Sequence, residues 1–350
     1  MSLLKRLFKW LLGITLIAVV LLAGPIVYVE TMCRGEAGED TYQSILPQEH
    51  HRLEARTFMT YPEWHIVHAY DDYAQIISTG DPHDYRFLPS IAGYWSSLCE
   101  LTRTAASHGG VDGSTKQLVY VIGASFSFEL ALKAAYEETF GRVATLIRGD
   151  ARTPLDDLSA AQATDYAKFL QQVPWYKWDF IADKAALNER ATGALRDRER
   201  RFALGLEYGA KASYAGVIAS AVESTGQDQL TLRMIVTGIA PEQLAEIADV
   251  QVIESRPEGV EIETPRYRKL THMMAEMAAL GVRFVEIAGN DDILLTALSN
   301  QPSHPKAVFS FARQGYGDYR HLVPLKVAEL SEVLTNMEDA GLSLEHIHDY

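Results

Sequence analysis

The sequence predicts an α+β fold: a single N-terminal transmembrane helix, a mainly helical middle region and a C-terminal ferredoxin-like (βαββαβ) antiparallel sheet domain. Three observations lead there. An uncharged apolar run opens the chain, apolar residues then recur at helical spacing to about residue 225, and beyond that strand-type alternation is broken by two helix–Gly–strand units. The expected divisions are 1–30 for a cytoplasmic N-terminus and anchor, 31–57 for a tether, 58–226 for the helical domain and 227–350 for the sheet domain.

Trp10 to Val29 carry no charge, and twenty residues in a helix cover about 30 Å, the thickness of a bilayer's hydrocarbon core. A cleaved signal peptide would turn polar after its small residues. Here Pro25 follows Ala23 and Gly24, and Ile26 to Val29 prolong the apolar run, which argues for an uncleaved anchor. Lys5, Arg6 and Lys9 precede the run; Glu30, Glu36, Glu39 and Asp40 follow it against Arg34 alone. By the positive-inside rule the N-terminus is cytoplasmic and the body periplasmic or otherwise extracytoplasmic, in a single-pass protein of the cell (inner) membrane whose first partner is membrane lipid. Leu118–Tyr136 and Ala203–Val222 are apolar too, but carry Glu129 and Lys133, and Glu207 and Lys211. Each charge would cost about 2.5–3.5 kcal/mol at a bilayer centre, so both segments are expected as packed soluble helices.

Residues 31–57 are polar and without a period. Thr60 and Glu63 have the spacing of a capping box, ahead of a run in which Ile66, Tyr70, Tyr73 and Ile77 share one helical face. A helix from Tyr61 to about Ser78 is expected, with others over about 116–147, 158–172 and 189–222. The period changes at Ser224–Asp228. Leu230, Leu232, Met234 and Val236 alternate with polar neighbours as in a half-buried strand. Short strands fit 250–255, 259–264, 282–288, 293–298 and 307–312, and helices fit 266–280 and 325–340. Met277, Gly281, Val282, Phe284 and Ile287 are echoed sixty residues on by Met337, Gly341, Leu342, Leu344 and Ile347. Two such units, each preceded by a strand, make one βαββαβ sheet with one or two extra strands.

Hydrophobic residues at 47% and charged residues at 22% suit a globular body and exclude wholesale disorder or a polytopic membrane protein. A net charge of -14 repels phosphate backbones, and no basic stripe offsets it, so nucleic acid is excluded as a partner. Gly123-Ala124-Ser125-Phe126-Ser127 stops short of a nucleophile elbow, and there is no Walker loop, dinucleotide fingerprint or Cys-x-x-Cys.

Several clusters are candidates for chemistry. His65, His68 and Asp72 fall within about 60° on the predicted helix, opposite its apolar face. Two imidazoles and a carboxylate suit a divalent transition metal such as zinc, with a position left for water; against this, the spacing is not that of a zincin and such a face is commonly just solvated. Arg313 to His321 reads as a glycine-bearing loop in which Arg313, Tyr316, Arg320 and His321 offer donors to an anionic ligand. His346 and His348 share one face of the last strand, as a ligand pair or as the polar outside of a frayed edge. Cys33 and Cys99 are candidates for a disulfide joining the membrane-proximal segment to an exported body. Trp175, Tyr176 and Trp178 suit either a core or a lipid headgroup layer. The expected function is a non-catalytic binding or envelope-assembly protein, with an envelope protein as candidate partner; the alternative is a metal-dependent hydrolase using the His65/His68/Asp72 face.

Overall fold

The computed structural model of the chain describes residues 2–52, 57–225 and 230–348. The helical half contains α1 (Ser2–Met32), α2 (Tyr61–Thr79), α3 (Phe87–Ala106), α4 (Gly113–Tyr136), α5 (Arg142–Arg148), α6 (Pro154–Leu170), α7 (Phe180–Arg190) and α8 (Leu195–Thr225). The expected helices over 116–147, 158–172 and 189–222 correspond to α4 with α5, α6 and α8. Helix α3 has little local signal, because Pro89, Gly93 and the Ser96–Ser97 pair all read as breakers, although Pro is tolerated in a first turn.

Helix α2 begins at the expected residue by a different device. Thr60 already has helical backbone angles and so cannot act as an N-cap, which needs extended geometry. Its hydroxyl donates instead to the Thr57 carbonyl (2.6 Å), within a 3-10 turn over Phe58–Thr60, and Pro62 sits in the first turn. Both sides of α2 are buried, His65, His68 and Asp72 included, so its polar face is not a solvated one.

The segment expected as a tether is pinned along its course. Cys33 and Cys99 are disulfide-bonded, joining the end of α1 to α3. Arg103 donates to the Met32 carbonyl and Gly38 N–H to the Ala106 carbonyl, each at 3.0 Å. A Cβ at Gly35 would collide with the Arg103 carbonyl, which explains the glycine there. Farther on, Tyr42 Oη (2.5 Å), Ser44 Oγ (2.8 Å), Ile45 N (2.6 Å) and Leu46 N (2.9 Å) all donate to the buried Glu286 carboxylate. No period announces this segment, because hydrogen bonds to one distant carboxylate hold it.

Beyond residue 230 lie β1 (Thr231–Thr237), α9 (Pro241–Leu244), β2 (Gln251–Arg256), β3 (Gly259–Pro265), α10 (Tyr267–Ala279) and β4 (Arg283–Ile287), then β5 (Asp292–Ser299), β6 (Phe309–Ala312), β7 (Tyr319–Lys326), α11 (Val327–Asn336) and β8 (Ser343–His348). They form two four-stranded antiparallel sheets, ordered β2-β3-β1-β4 and β6-β7-β5-β8. The single sheet expected from the sequence is therefore corrected. The two helix–Gly–strand units close different sheets, and the sixty-residue echo relates one sheet to the next. The miscount traces to β7, whose polar start and Pro324 read as loop. Pro324 is admissible because β6 pairs only with residues 319–322, leaving no ladder partner for the missing N–H.

One face of each sheet joins α10 and α11 in a shared apolar core, with α11 along β4 and α10 along β8. The other face of the second sheet, through Leu294 and Leu322, packs on the helical half against residues such as Phe58 and Tyr61. Within that half, buried arginines bind the helices together. Arg200 forks onto Glu137 (2.8 and 3.1 Å), Arg196 reaches Asp156 (2.8 Å), and Arg148 bridges Asp81 and Asp156 (2.8 and 2.9 Å). A π-helical segment over Glu137–Gly141 joins α4 to α5, and a Cβ at Gly141 would strike the Glu137 carboxylate. The Trp175–Trp178 run packs with Tyr166 and Phe180, and Trp178 Nε1 donates to Asp183 (2.7 Å).

Helix Gly113–Arg148 is packed on one side only. Among the helices whose side chains are described throughout, it is the one long and apolar enough to cross a membrane by length and composition, with a mean hydropathy of 1.5 in its most apolar window. Val119, Phe126 and Leu130 on its inner side are core, while Leu118, Val121, Phe128 and Leu132 on its outer side are exposed.

Glu286→Ala removes the acceptor of four donors at once and should lower stability by about 3 kcal/mol. The measurement is the urea midpoint of the full chain; an unchanged midpoint would show that the 42–46 segment is not held as described.

Candidate functional site at the helix and sheet interface

Three stretches that are remote in sequence meet where α2 crosses the second sheet. From α2 come Tyr61, Trp64, His65, His68 and Asp72; from β7 and the turn before it come Arg313, Tyr316 and Arg320; from β8 come Glu345, His346 and His348.

Arg320 and Glu345 form its charged centre. Arg320 Nε and one terminal nitrogen donate to the two carboxylate oxygens, both at 2.5 Å, and the guanidinium is shielded from water. Burial disfavours its charge, but the Glu345 carboxylate outweighs that and holds Arg320 charged. Glu345 reaches this face through a slip in strand register: His346 pairs with Thr296 and Leu344 with Ala297, leaving Glu345 as the extra residue of a bulge. Without the bulge, strand alternation would aim Glu345 away from His346 and His348.

The histidines surround this pair in neutral form. His65 Nε2 lies 3.0 Å from the Ser90 carbonyl, which can only accept, so Nε2 carries the proton and Nδ1 faces the Tyr61 hydroxyl (3.4 Å). Burial lowers its pKa to about 4. His68 is depressed well below the ordinary range by burial and then by the Arg320 charge; its Nε2 stands 3.6 Å from Glu345, too far for a hydrogen bond. His346 stacks on Trp64 with ring centroids 3.4 Å apart and meets Thr271 Oγ1 through Nδ1 (2.9 Å). His348 lies edge-on to Tyr61 at 5.5 Å and beside His346 at 4.9 Å. Burial depresses both, His348 to about 3. His68 Nε2, His346 Nε2 and both nitrogens of His348 have no hydrogen-bond partner within the protein.

Asp72 is the counterpart on the acidic side. Its Oδ2 accepts from Gln314 N–H (3.0 Å) while its Oδ1 is buried without a protein partner. Burial raises its pKa to about 7 against the opposing pull of Arg320, the Gln314 N–H and Arg313.

The sequence-predicted candidates thus divide. The metal set of His65, His68 and Asp72 is not assembled: His65 Nε2 is taken by Ser90 and one Asp72 oxygen by Gln314, and no group of three or more His, Cys, Asp or Glu side chains among the described residues is arranged to hold a metal ion. Of the proposed loop ligands, Arg313 and Tyr316 do lie in a turn, with the guanidinium stacked 3.6 Å over the ring and the Tyr316 hydroxyl donating to Asp71 (2.9 Å). Arg320 and His321 are strand residues instead, and strand alternation separates them. Arg320 faces α2, while His321 is held between Ser310 Oγ (2.8 Å) and Ser299 Oγ (2.9 Å). His346 and His348 share a face as expected, but α2 covers it, so it is neither a solvated edge nor frayed through residue 348. Trp64, Thr271 and Glu345 were not among the predicted site residues; only the Glu345–His348 alternation hinted at the last.

Chemically, the cluster is a store of neutral proton acceptors beside two arginines. Glu345→Ala would leave Arg320 buried and unpaired, an expected cost of about 3–5 kcal/mol in chemical denaturation, with Glu345→Gln milder; equal stability of Glu345→Ala and wild type would contradict the pairing.

Acid should also loosen this interface. Each imidazole has a folded pKa below the ordinary 6.5, so between 6.5 and about 4 the unfolded chain binds more protons and stability falls as pH is lowered. Asp72 acts oppositely: its raised value gives the folded state the extra proton between about 7 and 3.8. One carboxyl against four imidazoles leaves a net loss on acidification. A thermal midpoint that drops from pH 7 to 4.5, with a shallower slope in His346→Phe/His348→Phe, is expected; a level wild-type profile would rule out neutral burial of these rings.

No protein-family model matches the chain, and comparison with curated proteins and with solved structures finds no match either.

Proposed function

We propose that the chain is a single-pass protein of the cell (inner) membrane, N-terminus cytoplasmic, whose extracytoplasmic body is a non-catalytic binding or envelope-assembly module. The observation that carries this reading is the Cys33–Cys99 bridge, which begins one residue beyond α1. Structural disulfides persist in oxidising compartments, so the bridge supports placing the body on the side that the charges flanking the uncharged run of α1 also favour. The uncharged Trp10–Val29 stretch lies within one continuous helix, as an anchor requires.

The strand orders support reading the two sheets as tandem ferredoxin-like units. The first has a helix in each crossover, α9 and α10; the second has only α11, with the segment 300–308 in place of the other. Units of this kind host many unrelated functions, so the binding role rests on compartment and surface rather than on fold. The alternative of a metal-dependent hydrolase on the His65, His68 and Asp72 face finds no favourable geometry, because among the described residues no three such side chains are arranged to hold a metal ion.

The test is topology in cells. With a tag at the C-terminus, the full chain should stay in the pellet after alkaline carbonate extraction, lose the tag to protease added to spheroplasts, and take up maleimide only after reduction. Extraction into the supernatant, or a protected tag with freely labelled cysteines, would sink the reading.

A further inference from the structure

We propose that the outer face of α4 and α5, with the adjoining face of α8, lies against the phospholipid bilayer that α1 crosses. The body then rests on the membrane instead of standing off on a stalk. This inference rests on the membrane-anchor reading above.

Along α4 the face is uncharged and extended. Leu118, Val121, Phe128 and Leu132 are 50–56% exposed, and at 100° per residue they fall within about 80° of one another. Every exposed position between Leu118 and Ala135 is Leu, Val, Ser, Phe or Ala, so the uncharged stripe runs about 25 Å. Past the exposed Glu138–Arg142 ion pair, apolar exposure resumes at Leu146 and Ile147 of α5, and α5 packs against α8, where Phe202 and Leu206 are 67% exposed.

The face is also fixed next to the anchor. Glu30 at the end of α1 accepts from the Tyr120 hydroxyl of α4 (2.7 Å) and pairs with Lys116 (3.3 Å), while Cys33 is bonded to Cys99 of α3. An open groove of about 410 Å³ between α1 and α4 is walled by Ile26, Tyr120, Val121 and Ala124 as well as by Glu30 and Lys116. Where α1 leaves the bilayer, the first turns of α4 are therefore already at the membrane.

Lipid suits this face better than a charged partner. The net charge of -14 opposes adsorption to anionic headgroups, so the contact must come from apolar burial. Helix Gly113–Arg148 has the composition of a membrane span, yet its inner side belongs to the protein core, so it cannot leave the body to cross. One buried side and one apolar exposed side describe a helix lying in the interfacial plane.

The test uses the full chain with its disulfide intact, carrying an environment-sensitive fluorophore on a cysteine introduced as Phe128→Cys or Leu146→Cys, in phosphatidylcholine–phosphatidylglycerol vesicles. Emission should shift to the blue, lose intensity to lipids spin-labelled in the acyl chain, and be insensitive to high salt. The same probe at Glu258→Cys, in the exposed turn between β2 and β3, should remain water-like. A probe at Val20→Cys separates the two readings. Quenching at Val20 with water-like emission at Phe128 and Leu146 overturns the lipid-facing surface and leaves the anchor standing, whereas no quenching at Val20 overturns the anchor itself. Blue-shifted but unquenched emission at Phe128, accompanied by chain-to-chain cross-links, would make the face a contact between copies and likewise overturn it.

Discussion

Strand β5 has no face left for water. Ile293, Leu295 and Ala297 enter the core shared with α10 and α11, while Leu294 is covered by the helical half and Thr296 is sealed beside it. A strand of this kind needs a layer on either side, as in sheets whose strands read as unbroken apolar runs. The helical half supplies the second layer, and α2 is the element laid across it. Once α2 is placed there, both its faces are covered, and the polar residues opposite its apolar stripe are buried too.

Polar groups in such a place must be paired or neutral. Arg320 and Glu345 take the first course, forked together at 2.5 Å. The histidines take the second, their charged forms disfavoured by burial and by the arginine nearby. The same division recurs elsewhere. Arg196 and Arg200 are closed from water only because Asp156, Glu137 and Glu199 meet them, and Glu286 only because four donors of the 42–46 segment do. Buried ion pairs of this sort add little net stability but make the loss of either partner costly.

The two ends of the molecule are thereby coupled to its middle. The chain leaves α1, is fastened to α3 by the disulfide, and runs on to Glu286 of the first sheet. Helix α4, bound to α1 through Glu30, keeps one side in the core and the other bare. A body held so closely to its first helix has little freedom to turn about it.

Periods of 3.6 and 2 are local properties, so the sequence by itself determined most helices and strands, including the start of α2 and the extents of β1 to β6. It also determined that His346 and His348 share a face, since strand alternation requires it. It could not reveal β7, where polar residues and a proline mask the alternation, nor the division of the strands into two sheets, which depends on that missing strand. The tertiary structure alone decided that residues 61–72, 313–320 and 345–348 meet, because contacts across more than 240 residues leave no trace in local spacing. It also decided that His65 Nε2 meets the Ser90 carbonyl and Asp72 Oδ2 the Gln314 N–H, since the partner of a polar group is set by what the fold places against it.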